Sequence, residues 1–406
     1  MLVVVALLCS ATTSAVAAPS YPPVAPSPTD SGVSPMAPDP NPPLAGIAPD
    51  GHLVGGAALR SRGVIVPPHA PPLPTSSTAQ GWILVDLESG AVLAARDPHG
   101  RYQPASILKL LTSVTLLPLL PGKRVVTISK AAADAEGSRA GLVWNGRYTI
   151  DELFSGLLLV SGNDTAAALA EAAGGYQHTV DLMNEEARSL GAYDTFVQTP
   201  SGLDGWQQLT SAYDMALFLR AALAQPRFVA YDRAPTAQLP WQSVNGYGPV
   251  TMQNQNVTFL TTVPGALVAK TGYTDAAQHT FAGAIERHGR RLGVIFLRAQ
   301  RQPTDQWQQA VDLLNWGFAL PAGTRAVGHL ETPPPAPSAT VEHPSQSQVA
   351  ALAHRGAARV HAGASWTYAL IAAIALLAVS PLAWGLLRRP RGRTRTATAT
   401  GRRSRG

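Results

Sequence analysis

Two proline-rich stretches, 19–75 and 326–365, leave only one segment of this 406-residue chain able to build a sizeable core. Proline removes a backbone donor and fixes φ, and Pro/Ala/Ser/Gly stretches without hydrophobic periodicity read as disordered or polyproline-like spacers. Residues 76–325 are therefore predicted to form the folded domain, and about 250 residues are ample for an ordinary core.

The ends carry signals of their own. Residues 1–18 have a short apolar run, Leu2 to Leu8, followed by Ala15-Val16-Ala17, a small-x-small pattern expected of a cleaved signal peptide. Residues 366–387, Trp366 to Leu387, are uncharged and mostly apolar, long enough for one transmembrane helix, with Trp366, Tyr368 and Trp384 near its ends. The tail 388–406 has eight arginines and no acid, and taking these from the net charge of +6 leaves −2 for the rest. The basic pI thus describes a topology signal and not a nucleic-acid surface, and it predicts a cytoplasmic tail with the domain outside the membrane. The one cysteine, Cys9, lies in the expected signal, so a mature chain would have no disulfide.

Inside 76–325, Trp82 to Ala95 shows two apolar runs about Ser89-Gly90, a hairpin signal. A helix is expected from Pro104 through Leu117. The spacing predicts further helices over 152–160, 165–173, 179–190, 212–223 and 306–318, and strands over 279–285 and 291–297 joined through His288-Gly289. Strands, a helical block and strands again predict an α/β (α+β) domain. Its antiparallel sheet would be completed by both ends of the domain and flanked by helices, with an all-helical lobe inserted.

Only four of the 31 basic residues are lysines, and two of them stand in tight motifs: Ser106-Ile-Leu-Lys109 and Lys270-Thr-Gly272. Arginine keeps its proton in proteins, whereas a buried or crowded lysine can lose it, so these two are the candidates for proton chemistry. Ser106 and Lys109, three apart at a helix start, share one face. Serine needs an adjacent base to become a nucleophile, and Lys109 could be that base if desolvation and the Lys270 charge lower its pKa. Ser161-Gly-Asn163 adds a hydroxyl for proton relay and an amide to hold lysine and substrate. Lys270-Thr-Gly272 is expected at the start of the late strands, on an inner strand whose glycine lets a substrate backbone approach. His279 reads most simply as a strand residue. No HExxH, close histidine pair, P-loop or dinucleotide fingerprint occurs, so neither metal nor cofactor is expected.

The three motifs, in this order, resemble those of the serine penicillin-recognising enzymes. Pro104-Ala-Ser-Ile-Leu-Lys109, Leu159-Val-Ser-Gly-Asn-Asp164, Pro200-Ser-Gly-Leu-Asp204, Asn254-Gln-Asn256 and Lys270-Thr-Gly-Tyr-Thr274 are similar to blocks of the low-molecular-mass D-alanyl-D-alanine carboxypeptidases. The similarity spans about 80–320, and the stalk with a C-terminal helix resembles actinobacterial members. The resemblance implies a β-lactamase/transpeptidase-like fold and an acyl-enzyme on Ser106, with peptidoglycan stem peptides as substrates and β-lactams as acylating agents. It also implies an oxyanion hole of the Ser106 and Tyr273 N–H groups. Lys270 and Thr271 would line the substrate-carboxylate pocket. Many relatives carry a small β-rich domain after the catalytic one, whereas here only linker is expected after Ala322. Gln306 stands where relatives often have a carboxylate-binding arginine, leaving Arg298 or Arg301 as substitutes. A D,D-endopeptidase, a class A-like β-lactamase and a catalytically silent cell-wall-binding membrane protein are the alternatives. The β-lactamase would need a glutamate for deacylation, and only Glu171, Glu185 and Glu186 lie between Ser161 and Lys270.

Overall fold

Strands Gly81–Asp86 (β2) and Ala91–Arg96 (β3) form the expected hairpin, and their near-continuous apolar runs are buried on both faces. That pattern fits a sheet covered on two sides. The computed structural model describes residues 45–321 and 323–331. The principal sheet is antiparallel, in the order β1-β3-β2-β10-β9-β8, with β11 also pairing with β3. Here β1 is Val64–Ile65, β8 Ala266–Thr274, β9 Gln278–Arg287, β10 Arg290–Ala299 and β11 Gly328–His329. Two small hairpins, Val125–Thr127 with Arg147–Thr149 (β4, β5) and Thr236–Leu239 with Val250–Gln253 (β6, β7), stand apart from it.

The helices are α1 Lys109–Leu116, α2 Lys130–Ala133, α3 Ile150–Leu159, α4 Asn163–Ala172, α5 Tyr176–Ser189, α6 Ala212–Leu223, α7 Pro226–Asp232, α8 Val257–Thr262 and α9 Gln306–Ala319. Helix α9 covers one sheet face, where Leu84, Phe281, Val294 and Phe296 meet Leu313 and Leu314. Ile83, Val85 and Ile295 point the other way, into a larger core shared with α6 and α1. Each fully buried side chain of this size contributes about 1.5–3 kcal/mol relative to exposure. The predicted plan therefore holds, with strands from both ends of the domain in one sheet and a helical lobe between them.

Several boundaries differ, each for a local reason. Helix α3 begins at Ile150, not 152, because Thr149 and Glu152 form a reciprocal capping box. The serine helix opens with a 3-10 turn, Ala105–Leu108, before α1. Lys270-Thr-Gly272 lies within a long strand that the sequence reading missed, and that strand is the sheet edge, not an inner strand.

The folded unit is also longer than 76–325. Ala48, Val54 and Leu59 are buried, Trp316 Nε1 donates to Pro71 O, and β11 pairs with β3. This Pro/Gly-rich segment has no periodicity to detect because side chains satisfy its backbone. Asp194 accepts from Gly46 N, Glu331 accepts from Gly55 N, and His99 donates to Val54 O. Among the described residues no helix is long and apolar enough to cross a membrane. The expected signal 1–18 and span 366–387 lie outside the described residues, as does most of the expected stalk.

Candidate active site

Ser106 sits in the 3-10 turn that leads into α1. Residues three apart eclipse in such a turn, and Lys109 Nζ accordingly lies 3.0 Å from Ser106 Oγ. The turn is entered through Ala105 at φ 49, left-handed backbone that non-glycine residues seldom adopt. It is held from both sides. Thr280 of β9 donates to Pro104 O at 3.0 Å, and Gly202 presses so close to the chain that an added Cβ would lie 2.0 Å from Ala105 O.

Lys109 is completely buried and has three partners: Ser106 Oγ, Asn163 Oδ1 at 2.8 Å and Ser201 O at 2.7 Å. The last two can only accept. A neutral amine has two N–H donors for them and one lone pair left for the serine hydroxyl, so the geometry suits a base. Burial, and then the charge of Lys270, push the Lys109 pKa well below its ordinary value, with Asp164 opposing.

Ser161, like Ala105, is held at positive φ, at 59, and it is buried. Lys270 Nζ donates to Ser161 Oγ at 3.0 Å and to Thr271 O at 2.7 Å. Burial brings Lys270 down to about 8, with the Asp232 carboxylate opposing. Asn163 opens α4, and its amide donates to Glu136 O at 2.6 Å. Ser106, Lys109 and Asn163 thus form one hydrogen-bonded group and Ser161 with Lys270 a second, both opening on one cleft through their serines and assembled from the serine turn, the α3–α4 junction and the sheet edge.

That edge explains the glycine of the third motif. A Cβ on Gly272 would lie 2.7 Å from Ser106 N and 2.5 Å from Thr280 Oγ1. Ala269 N donates to the Asp232 side chain, so it points away from β9. Side-to-side alternation along a strand then turns the N–H groups of Thr271 and Tyr273 to the same free edge. Tyr273 N–H therefore faces outward beside the serine turn. The cleft, of about 490 Å³, lies over both groups, reached by Ser106, Ser161, Thr271, Gly272, Tyr273 and Arg301.

The two candidate arginines part company. Arg301 lines the cleft, paired with Asp305 at 2.6 Å. Arg298 bonds Ala276 O and lines a separate depression with Arg101 and Asp275. Gln306 is buried on the cleft wall with its Oε1 unpartnered. His279 lies under the Tyr273 ring, 4.6 Å between centroids, and its pKa is lowered, first by burial and then by Arg301. Glu171 bonds Ser129, and no glutamate lines the cleft among the described residues. Among those residues, too, no group of His, Cys, Asp or Glu could hold a metal ion.

Two contributors escaped the sequence reading. Asp164 is fully buried and accepts from Ala140, Gly141, Leu142 and Thr165 N–H groups, fastening the 136–142 loop whose Glu136 and Ser138 carbonyls accept from Asn163. Ser201 acts through a backbone carbonyl, which no side-chain motif reveals. The blocks containing Asp164 and Ser201 were visible in the sequence, but only as flanking residues.

The model of the Peptidase S11 family, D-alanyl-D-alanine carboxypeptidase, matches residues 68–301, more than half of the chain. This chain belongs to the Peptidase S11 family. It is 41% identical over 261 residues to the D-alanyl-D-alanine carboxypeptidase DacB2 of Mycobacterium tuberculosis, covering 63% of this chain and 87% of that protein. It is 31% identical over 259 residues to DacD of Escherichia coli, covering 61% of this chain and 64% of that protein, so it spans a little under two thirds of that relative. A crystal structure of the penicillin-binding protein homolog Rv2911 from Mycobacterium tuberculosis superposes with TM-score 0.62 at 39% identity, over 65% of this chain and all of that one. The Streptomyces K15 DD-transpeptidase shares the fold at TM-score 0.57 and 24% identity, over 62% of this chain and all of that one. The antiparallel sheet with an inserted helical lobe is thus the architecture of this S11 member and of its solved neighbours.

Proposed function

We propose that this S11 member removes the terminal D-alanine from peptidoglycan stem peptides through an ester on Ser106, and that β-lactams acylate the same serine. It is a serine hydrolase of the carboxypeptidase kind. Ser106 Oγ attacks the penultimate carbonyl carbon while its proton passes to Lys109 Nζ. The carbonyl oxygen, now negative, lies between the Ser106 and Tyr273 N–H groups, donors that need no reorganisation as charge develops. Collapse breaks the C–N bond, and the proton on Lys109 reaches the leaving amine by way of Ser161. D-alanine departs, and water attacks the ester with Lys109 again taking the proton. Lys270 keeps the field positive, and Thr271 with Arg301 receives the free carboxylate. Asn163 orients Lys109 and the substrate amide.

The observation that carries this reading is the 3.0 Å contact between Ser106 Oγ and a fully buried Lys109 whose other two partners can only accept. The test is Ser106→Ala. The unmodified chain should release D-alanine from a pentapeptide stem and take a fluorescent penicillin, and the variant should do neither. Label persisting on the variant would assign the ester to another residue.

We also propose that residues 366–387 anchor the chain with the catalytic domain outside the membrane. The support is an uncharged apolar run followed by an arginine-only tail. Protease added to intact cells should remove the domain and leave a fragment containing Trp366–Gly406, and a protected domain would reverse the orientation.

A further inference from the structure

Asp232 is a fully buried carboxylate at the end of α7 that the reaction sequence above does not use. Its Oδ2 accepts from Ala269 N at 2.9 Å, the residue immediately before Lys270, and its Oδ1 has no partner. Its carbonyl accepts from Asn254 Nδ2, so the same residue also joins the β6–β7 hairpin to the strand. A carboxylate buried with one oxygen unpaired is costly unless a charge nearby compensates it.

The charges around it single out one partner. On α3, Asp151 is engaged by Lys123, Arg227 and Tyr231, and Glu152 caps its own helix. On α6, Asp214 accepts from Asp194 N and Thr195, and Arg220 bonds Glu88 O. Arg233, next in the chain, is exposed. On β9, which pairs with β8, Glu286 holds Arg291, Arg287 bonds Pro264 O and Asn315, and His279 lies against Tyr273. Among the described residues Lys270 is the one charged group acting on Asp232, after the Ala269 N–H, and Asp232 is the one charged group opposing the loss of the Lys270 proton.

We propose that Asp232 is a positioning residue for the proposed reaction, the buried counter-charge that keeps Lys270 protonated at the sheet edge. The inference rests on the acyl-enzyme reading and deepens it by naming what holds the charge pattern of the site. Two lysines thus lie between two carboxylates: Asp232 acts on Lys270, and Lys270 and Asp164 act in opposite senses on Lys109. Burial brings Asp232 up to about 7 and Lys270 down to about 8, so the two are charged together chiefly in the narrow range between. Above it Lys270 loses its proton, and the positive field that the proposed reaction uses at the sheet edge goes with it. Removing the Asp232 charge removes the opposition to that loss, so the loss comes at lower pH.

The test is the pH profile of penicillin acylation and of D-alanine release by the full chain and its Asp232→Asn and Asp232→Glu variants. The unmodified chain should lose activity on an alkaline limb near pH 8. Asp232→Asn still accepts from Ala269 N, and its limb should move down by about one unit, an ordinary size for a charge perturbation in a folded protein. Asp232→Glu should bring the limb back. Should the asparagine variant not fold, Asp232→Ser, neutral and still an acceptor for Ala269 N, gives the same readout. A lower maximum rate with an unmoved limb would overturn the inference and leave Asp232 a purely structural residue. If the unmodified chain neither labels nor releases D-alanine, the acyl-enzyme reading fails. If it does both and the limb stays, only this inference fails.

Discussion

Asp164→Asn should both destabilise the domain and slow acylation, although residue 164 touches neither Ser106 nor the substrate cleft. The carboxylate takes four backbone N–H groups, Ala140 at 2.9 Å and Thr165 at 2.8 Å on one oxygen, Gly141 at 2.9 Å and Leu142 at 3.0 Å on the other. An asparagine keeps one oxygen and sets an NH2 group against the remaining two donors. A hydrogen bond to a charged group is worth about 1.5–3 kcal/mol, so losing two predicts about 3–6 kcal/mol. That is a large share of the roughly 5–15 kcal/mol by which domains are stable. The loop so loosened also carries the Glu136 and Ser138 carbonyls that hold Asn163, and Asn163 holds Lys109. Guanidinium unfolding at constant slope gives the stability, and stopped-flow acylation by a penicillin gives the rate. A loss below about 1 kcal/mol together with an unchanged acylation rate would refute the argument that the loop is fastened through this carboxylate.

Lys109→Arg sets a permanent cation where the neutral base stands and cannot accept the serine proton, so acylation should fall by more than tenfold, about 1.4 kcal/mol or more; a milder loss removes Lys109 as the base. Arg301→Ala should cut turnover of a D-Ala-D-Ala free acid more than that of its C-terminal amide, because a charge-assisted bond to a carboxylate is lost. Arg298→Ala, on a separate depression, should leave that ratio alone, and the opposite ranking would exchange their roles. Gly202→Ala combines φ +87 with a Cβ 2.0 Å from Ala105 O, so it should displace the serine turn. It should cost at least the roughly 1–2 kcal/mol of left-handed backbone, measured by thermal melting, and acylation should drop with it.

The site's chemistry was legible in the sequence to an unusual degree because its side chains are of types that little else explains. A chain that replaces lysine with arginine nearly everywhere keeps Lys109 and Lys270, and both prove to be buried and within 3.0 Å of a serine hydroxyl. The strand–helix–strand plan was equally readable, since β2, β3, β9, β10 and the long helices carry strong apolar patterns. Weak patterns misled. The segment from residue 45 is held by His99, Asp194 and Glu331 and not by a periodic apolar face, so it read as spacer. Strand β8 was missed because its first half is short of periodicity and a lysine and a glycine interrupt it.

Side-chain identity and order determined the family-like motif set and which groups could carry protons. Only the tertiary structure decided which of those groups meet, because residues 106, 161 and 270 belong to three separate elements. It alone assigned Arg301 to the cleft and Arg298 to another depression, since a bulge in the β9–β10 pairing between Phe296 and Ala299 sets which way the end of β10 faces. It also decided the electrostatics. A lysine in a sequence has its ordinary pKa, and only burial, with a second lysine beside it, brings Lys109 well below that value, while Asp164 opposes the fall of Lys109 and Asp232 that of Lys270.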